Sequence, residues 1–312
     1  FWEGAQMALQ EFEEQQVKLK IIVKDITNDE EKLLQILNDK ELMEEVSLII
    51  GPFFGNTFTK AATIAAKYRI PIVNPFTSRR DFVEDNQYVF KVMPPSSARP
   101  RFLCEHFLPT YPNYQIIIWT DTTHKTKEYN AYKKYFTDHQ IPYKLVLLNK
   151  DNLIKSFHAD KQNIIIATFD SQAQVINQFR LLAHNDFGAL VTFFIPDSWI
   201  SIGDIDVEYF NKMNVHYFTP YYVDYSQDRT VFFITNFIEK FQSFPEISRF
   251  SYQGYDITKY FIELMIHDFD SSKVDFTPLA LGFDFYKYEH GGFENQKVRL
   301  LQIKDYKIEE VK

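Results

Sequence analysis

Short β-branched runs alternate with longer amphipathic segments along most of the chain. The runs predicted as strands are Leu19–Lys24, Val46–Ile50, Pro71–Asn74, Gln115–Trp119, Tyr143–Leu148, Asn163–Thr168, Leu190–Ile195 and Val215–Thr219. Apolar residues spaced by three and four predict helices over Trp2–Gln15, Asn28–Leu37, Thr57–Tyr68, Ala98–Leu108, Thr126–Asp138, Ser171–Leu182, Asp228–Phe241 and about Gln253–His267. Strand–helix–strand repetition implies parallel sheets with helices on both faces, an α/β fold, and the nearly unbroken apolar strands suit sheets covered on both sides. Asp25–Glu30 offers helix caps followed by first-turn acids. Towards the end the style changes: Leu279–Tyr288, the turn His290-Gly291-Gly292 and Val298–Lys304 read as a β-hairpin.

Prolines interrupt the pattern at Pro94-Pro95, at Pro109 and Pro112, and at Pro220. With 312 residues, two domains are expected. In open α/β sheets ligands bind where strands end and helices begin, which directs attention to five loops. Ile49-Ile50-Gly51-Pro52-Phe53-Phe54-Gly55-Asn56-Thr57 runs from a strand into a helix, and backbone N–H groups at such a start can meet an anion. The spacing lacks the glycine-lysine-serine/threonine ending of a phosphate loop. Phe76, Thr77 and Ser78 follow the next strand, with Phe76 as an apolar wall and the two hydroxyls as donors. Asp121-Thr122-Thr123-His124, Asp170-Ser171 and Asp197-Ser198-Trp199 follow later strands. Each is a plausible helix or turn cap by itself; together they suggest the rim of a cleft. The expected ligand-binding residues are therefore Phe53, Gly55, Asn56, Thr57, Phe76, Thr77, Ser78, Asp121, His124, Asp170, Ser171, Asp197 and Trp199.

Composition narrows the class. The net charge of −8, with no basic run, argues against nucleic acid. The single Cys104 excludes an intrachain disulfide and reads as a small apolar packing group. No apolar run approaches the roughly 18 residues a membrane span needs. Aromatic residues are 17% of the chain, enough both to fill cores and to line a ligand cleft. No nucleophile elbow, metalloprotease pair or paired-cysteine metal site is present, so neither catalysis nor a metal or cofactor is expected.

The stretch VSLIIGPFFGNTFTKAATIAAKYRIPIVNPFTSR resembles the characteristic region of the branched-chain amino-acid receptors among the type I periplasmic binding proteins. So do the opening FWEGAQMALQEF, the segment Phe250-Ser251-Tyr252-Gln253-Gly254-Tyr255-Asp256 and the ending LGFDFYKYEHGGFENQKVRLLQI. More narrowly, FDFYKYEHGGFENQKVRLLQ resembles envelope proteins that carry LysM peptidoglycan-binding modules. The resemblance implies two Rossmann-like lobes joined by three crossovers, one from residues 1–111 and 220–275, the other from 112–219 and 276–312. It also implies a first strand upstream of residue 1, a periplasmic or envelope location, and a non-enzymatic domain that closes on a small polar ligand, such as an amino acid. Its partners would be a membrane transporter, or peptidoglycan through upstream modules. In the amino-acid receptors a serine of the first loop meets the ligand carboxylate; Gly55 or Asn56 stands there, and an acidic residue for the ammonium falls near Asp197. The alternative is an envelope scaffold or regulator with a degenerate cleft.

Overall fold

The computed structural model describes residues 1–311 except 78, 124–125, 183–184, 186 and 248–249. In chain order it contains α1 (Trp2–Glu14), α2 (Glu30–Leu37), α3 (Lys40–Glu45), β1 (Ile49–Ile50), α4 (Gly55–Lys67), β2 (Ile72–Asn74), α5 (Asp81–Glu84) and β3 (Val89–Lys91). There follow α6 (Ala98–Phe102), β4 (Tyr114–Thr120), α7 (Lys127–Asp138), β5 (Lys144–Leu147), α8 (Lys150–Ser156), β6 (Gln162–Ala167), α9 (Gln172–Leu182), β7 (Val191–Ile195), α10 (Val207–Lys212) and β8 (Val215–Thr219). The last elements are α11 (Asp228–Phe241), α12 (Ser251–Ile266), β9 (Phe285–Lys287), β10 (Phe293–Asn295), β11 (Arg299–Lys304) and β12 (Lys307–Glu310). They form two compact units, Phe1–Pro95 with Pro220–Lys297, and Ser96–Thr219 with Val298–Lys312.

Unit 1 holds a five-stranded sheet in the order β1-β2-β3-β10-β9, parallel except for β9. Asp29 caps α2, its Oδ1 accepting from the N–H groups of Glu31 at 2.8 Å and Lys32 at 3.2 Å. On one side of the sheet α1 lies against α12 at backbone contact. A Cβ on Gly4 would sit 1.8 Å from the Ser251 carbonyl oxygen, and one on Gly254 would sit 2.0 Å from that of Phe1. Both glycines belong to segments that carried the family resemblance, and their chemistry is the absence of a side chain. Asp256, two residues on, is fully buried and accepts from three successive N–H groups, those of Leu279 at 2.7 Å, Ala280 at 2.8 Å and Leu281 at 2.9 Å.

Unit 2 holds a seven-stranded sheet ordered β12-β11-β8-β7-β6-β4-β5, with β11 and β12 antiparallel to their neighbours. Strands β6, β7 and β8 are buried along their whole length, as sheets covered on both faces require. The helix expected over Ala98–Leu108 is broken up: α6 passes into a π-helical turn at Leu103–Phe107 and a 3-10 turn at Leu108–Thr110. Cys104 lies in that turn, half-buried, and burial pushes its thiol up to about 12, so it stays protonated. His216 is buried between the rings of Phe107 and Phe194. Burial lowers its pKa from 6.5 to about 4. The folded state therefore prefers the neutral ring, and its contribution is complete above pH 6.5 and lost as pH falls from 6.5 towards 4. The shift corresponds to about 3 kcal/mol. In urea unfolding at pH 7 and pH 4.5, His216→Phe is expected to lose most of this part of the acid sensitivity. An unchanged difference would place its origin elsewhere.

Two expectations are corrected. Leu19–Lys24 forms no helix and joins no ladder, with Ile21, Ile22 and Val23 exposed. A β-branched run becomes a strand only against an edge, and the outer edge of β1 carries no strand among the described residues. The hairpin also differs: β9 pairs with β10, while β11 leaves for the other sheet and pairs with β8 and β12. The glycines of its turn are buried, and a Cβ on Gly291 would lie 2.3 Å from the Val83 carbonyl oxygen. That close approach, with β10 beside β3, keeps residues 276–297 in unit 1.

Candidate functional site

The described candidate residues fall in loops that follow the carboxyl ends of parallel strands in both units. In unit 1, β1 is followed by Gly51, whose φ of +98° favours glycine and whose N–H donates to Val73 O at 2.9 Å. Asn74, at the end of β2, organises the rim. Its Oδ1 accepts from the N–H groups of Phe76 at 3.1 Å and Thr77 at 2.8 Å, and its Nδ2 donates to Pro52 O at 3.4 Å. The loop after β2 is thereby fastened to the loop after β1. Sequence reasoning passed over this residue, although an Asn-Pro pair at a strand end signals a turn.

Of the candidates in these loops, Gly55 opens α4 and Asn56 is exposed. Thr57 is buried, its hydroxyl donating to Phe54 O at 3.0 Å. Thr77 accepts from the Arg79 N–H at 3.2 Å. Arg79 pairs with Asp81, its Nε donating at 3.1 Å, and Arg80 meets Tyr288 and, at 3.4 Å, Glu294. Phe53 and Phe76 touch, with centroids 5.2 Å apart, and both also meet Phe1. Ser78 lies outside the described residues.

In unit 2 the rim loops follow β4, β6 and β7. Asp121 Oδ1 accepts from Thr123 N at 2.9 Å and from its hydroxyl at 2.8 Å. Thr126 caps α7 and donates to Thr168 O, tying that helix start to the end of β6. Asp170 and Ser171 are exposed ahead of α9, whose Val175 N–H donates to Ser171 O at 2.9 Å. Trp199 is a core residue: 1% exposed, it donates from Nε1 to Phe169 O at 3.2 Å and packs on the rings of Phe169 and Phe179. His124 lies outside the described residues.

Asp197 belongs to a charged triad that the sequence did not disclose. Arg99 donates to Glu128 Oε2 at 2.6 Å and lies 3.6 Å from Asp197 Oδ1. Burial opposes the Arg99 charge, but the two carboxylates outweigh it and raise the guanidinium pKa. Among isolated residues Arg99 reads as an ordinary surface cation; only the fold brings α6, α7 and the loop after β7 together. Removing the cation leaves two acids facing each other, so Arg99→Met is expected to destabilise unit 2 by roughly 3 kcal/mol. Chemical denaturation checks this, and a change below about 0.5 kcal/mol, typical of surface substitutions, would overturn it.

Among the described residues no group of three or more His, Cys, Asp or Glu could hold a metal ion, and no helix is long and apolar enough to cross a membrane. No family model and no curated protein matches the chain. Solved structures do match it over nearly its whole length. A protein described as a branched-chain amino acid ABC transporter from Rhodospirillum rubrum aligns with 99% of this chain and 94% of its own, at a TM-score of 0.71 and 15% identity.

The fold is that of the type I periplasmic binding proteins. An ABC transporter substrate-binding protein from Desulfitobacterium hafniense, in complex with Leu, aligns with 99% of this chain and 94% of its own at a TM-score of 0.59 and 18% identity. The C-domain of LpoA from Haemophilus influenzae, a regulator of PBP1A, aligns with 100% and 94% at a TM-score of 0.63 and 10% identity. The type I periplasmic binding fold thus includes both solute binders and a regulator. Identities this low carry the fold and not the ligand.

Proposed function

We propose that this chain is an extracytoplasmic solute-binding domain, without catalytic activity, whose two units close on a small polar ligand such as an amino acid. The observation that carries the reading is positional: residues 51–57, 76–77, 121–123, 170–171 and 197–199 all follow the carboxyl ends of parallel strands. That is the end of an open α/β sheet where ligands bind. A receptor of this kind would serve a membrane transporter. Calorimetry and thermal unfolding with a panel of amino acids and small carboxylates test it. A ligand at a hundredfold excess over Kd should stabilise the protein by about 2.7 kcal/mol. If no compound raises the Tm and no small molecule co-purifies, the receptor reading falls.

A specific observation favours a second reading, an envelope scaffold or regulator with a degenerate cleft, linked to peptidoglycan through LysM modules. The rim hydroxyls of Thr57 and Thr77 are engaged within the protein rather than left for a ligand. This reading expects binding to a protein partner or to peptidoglycan with no small-molecule response.

A further inference from the structure

The two outer strands of the unit 2 sheet are finished differently. At one end β12 carries Lys307, Glu309 and Glu310, charges of the kind that keep a further strand from adding. At the other end β5 reads Lys144-Leu145-Val146-Leu147, and no strand lies beyond it among the described residues. Leu145 is 46% exposed and Leu147 42%, whereas Val146 between them is buried. Side chains alternate between the faces of a strand, so the two leucines share one face, that of Ile118 beside Leu145 in the ladder. Lys144, the one charge of the strand, belongs to the other face and donates to Ser156 O at 3.2 Å.

The backbone of this edge is open as well. Leu148 N–H donates to Thr120 O at 2.9 Å, which turns the even-numbered residues of β5 towards β4. The N–H and C=O groups of Leu145 and Leu147 therefore point away from the sheet. An outer strand that shows both free backbone groups and apolar side chains is a template for pairing, and natural sheets ordinarily blunt it with charge or cover it. On its leucine face β5 has no such charge.

We infer that β5 is a self-association edge, pairing antiparallel with β5 of a second copy of this chain about a twofold axis at Val146. The sequence of the strand selects both partner and register. With Val146 opposite itself, Leu145 of each copy lies opposite Leu147 of the other on one face, and each such pair exchanges two N–H···O=C bonds. Four leucines then cover one another, and Lys144 meets Leu148 rather than a second lysine. A shift of one residue sends the leucines of the two copies to opposite faces, and a shift of two sets one leucine of each copy against Tyr143 or Asn149. Pairing β5 with β12 of another copy would set charges against leucines and, being head-to-tail, would leave an edge open for further addition. The contact is short, so the dimer is weak, with a Kd on the order of 100 µM.

Sedimentation velocity on the full chain, at loadings from about one tenth to ten times that Kd, should show a monomer–dimer equilibrium. In Leu145→Lys/Leu147→Lys four ammonium groups replace four leucines, and the dimer should weaken roughly tenfold or more. Both positions are exposed, so the Tm of the monomer should stay that of the parent. Disulfide trapping reads the register. Opposed residues of a bonded pair lie about 5.5 Å apart at Cα, so Leu145→Cys mixed with Leu147→Cys should crosslink on mild oxidation faster than either variant alone. Cys104, half-buried and protonated, does not compete. A chain that stays monomeric at the highest loading overturns the inference. So do association that the lysine variant leaves intact, assemblies that grow beyond the dimer, and cysteine variants that crosslink as fast alone as mixed.

Discussion

Replacing Asp256 with alanine is expected to lower the stability of unit 1 by roughly 3–5 kcal/mol. The carboxylate is fully buried and accepts three backbone N–H groups in a row, from Leu279, Ala280 and Leu281. Alanine strands all three donors where water does not reach, and each buried unsatisfied group costs about 1–3 kcal/mol. The bonds also fasten the return of the chain to helix α12, so Leu279, Ala280 and Leu281 lose their place against Tyr255 and Ile257 in the cores. Asp256→Asn keeps one acceptor oxygen and turns an amide donor towards the N–H groups, so it should fall between alanine and the parent. Thermal unfolding should show a drop of roughly 10 °C for the alanine variant. A drop of only a degree or two would mean that the segment 279–281 is held by something other than this side chain.

That motif shows what was legible in the sequence. Gly254-Tyr255-Asp256 stands out as a family resemblance, yet nothing in its letters says whether it touches ligand. In the folded chain all three residues serve the architecture. Gly254 admits the Phe1 carbonyl, Tyr255 donates to Glu11 Oε1 at 2.7 Å, and Asp256 holds a loop. Alternating runs such as Asn163–Thr168 and Asp228–Phe241 were readable because burial on both faces and a strong apolar stripe leave periodic marks. Leu19–Lys24 carried the same β-branched mark and is no strand, because pairing depends on a neighbour that local pattern cannot report. Short elements such as β3, with three residues, and α10, with six, are too brief to show a period.

The candidate site divides along the same line. Loops at strand ends could be located, since strand–turn–helix order is local. Which side chains are available could not. Trp199 reads as a cleft aromatic and is core; Thr57 reads as a donor to ligand and bonds Phe54 O instead. Arg99 and Asn74, which organise the two rims, owe their roles to residues 29 and 98 positions away in the first case and 22 in the second. Contacts at that separation leave no trace in spacing.

Breaking the Lys91–Glu294 pair is the second expected large effect. Both side chains are fully buried, on β3 and its neighbour β10, with Nζ 3.1 Å from Oε1. The two ends are not equally supported. Glu294 Oε2 accepts from Tyr288 Oη at 2.7 Å and Gln296 Nε2 at 3.0 Å, and Oε1 has Arg80 Nε at 3.4 Å besides the ammonium. Among the described residues Lys91 otherwise donates only to Met93 O, and burial lowers its pKa against the pull of Glu294. Glu294→Leu leaves an ammonium with one carbonyl in an apolar surrounding and should cost about 4 kcal/mol or more, partly recovered if the lysine loses its proton. Lys91→Met leaves a carboxylate that still has Arg80, Tyr288 and Gln296, and should cost less, roughly 3 kcal/mol. The double variant Lys91→Met/Glu294→Leu removes both charges and should recover most of the loss, because a buried ion pair contributes little beyond satisfying its own desolvation. A double-mutant cycle by chemical denaturation measures all three. Additive losses in the double variant would mean that the two groups are held by their other partners and not by each other.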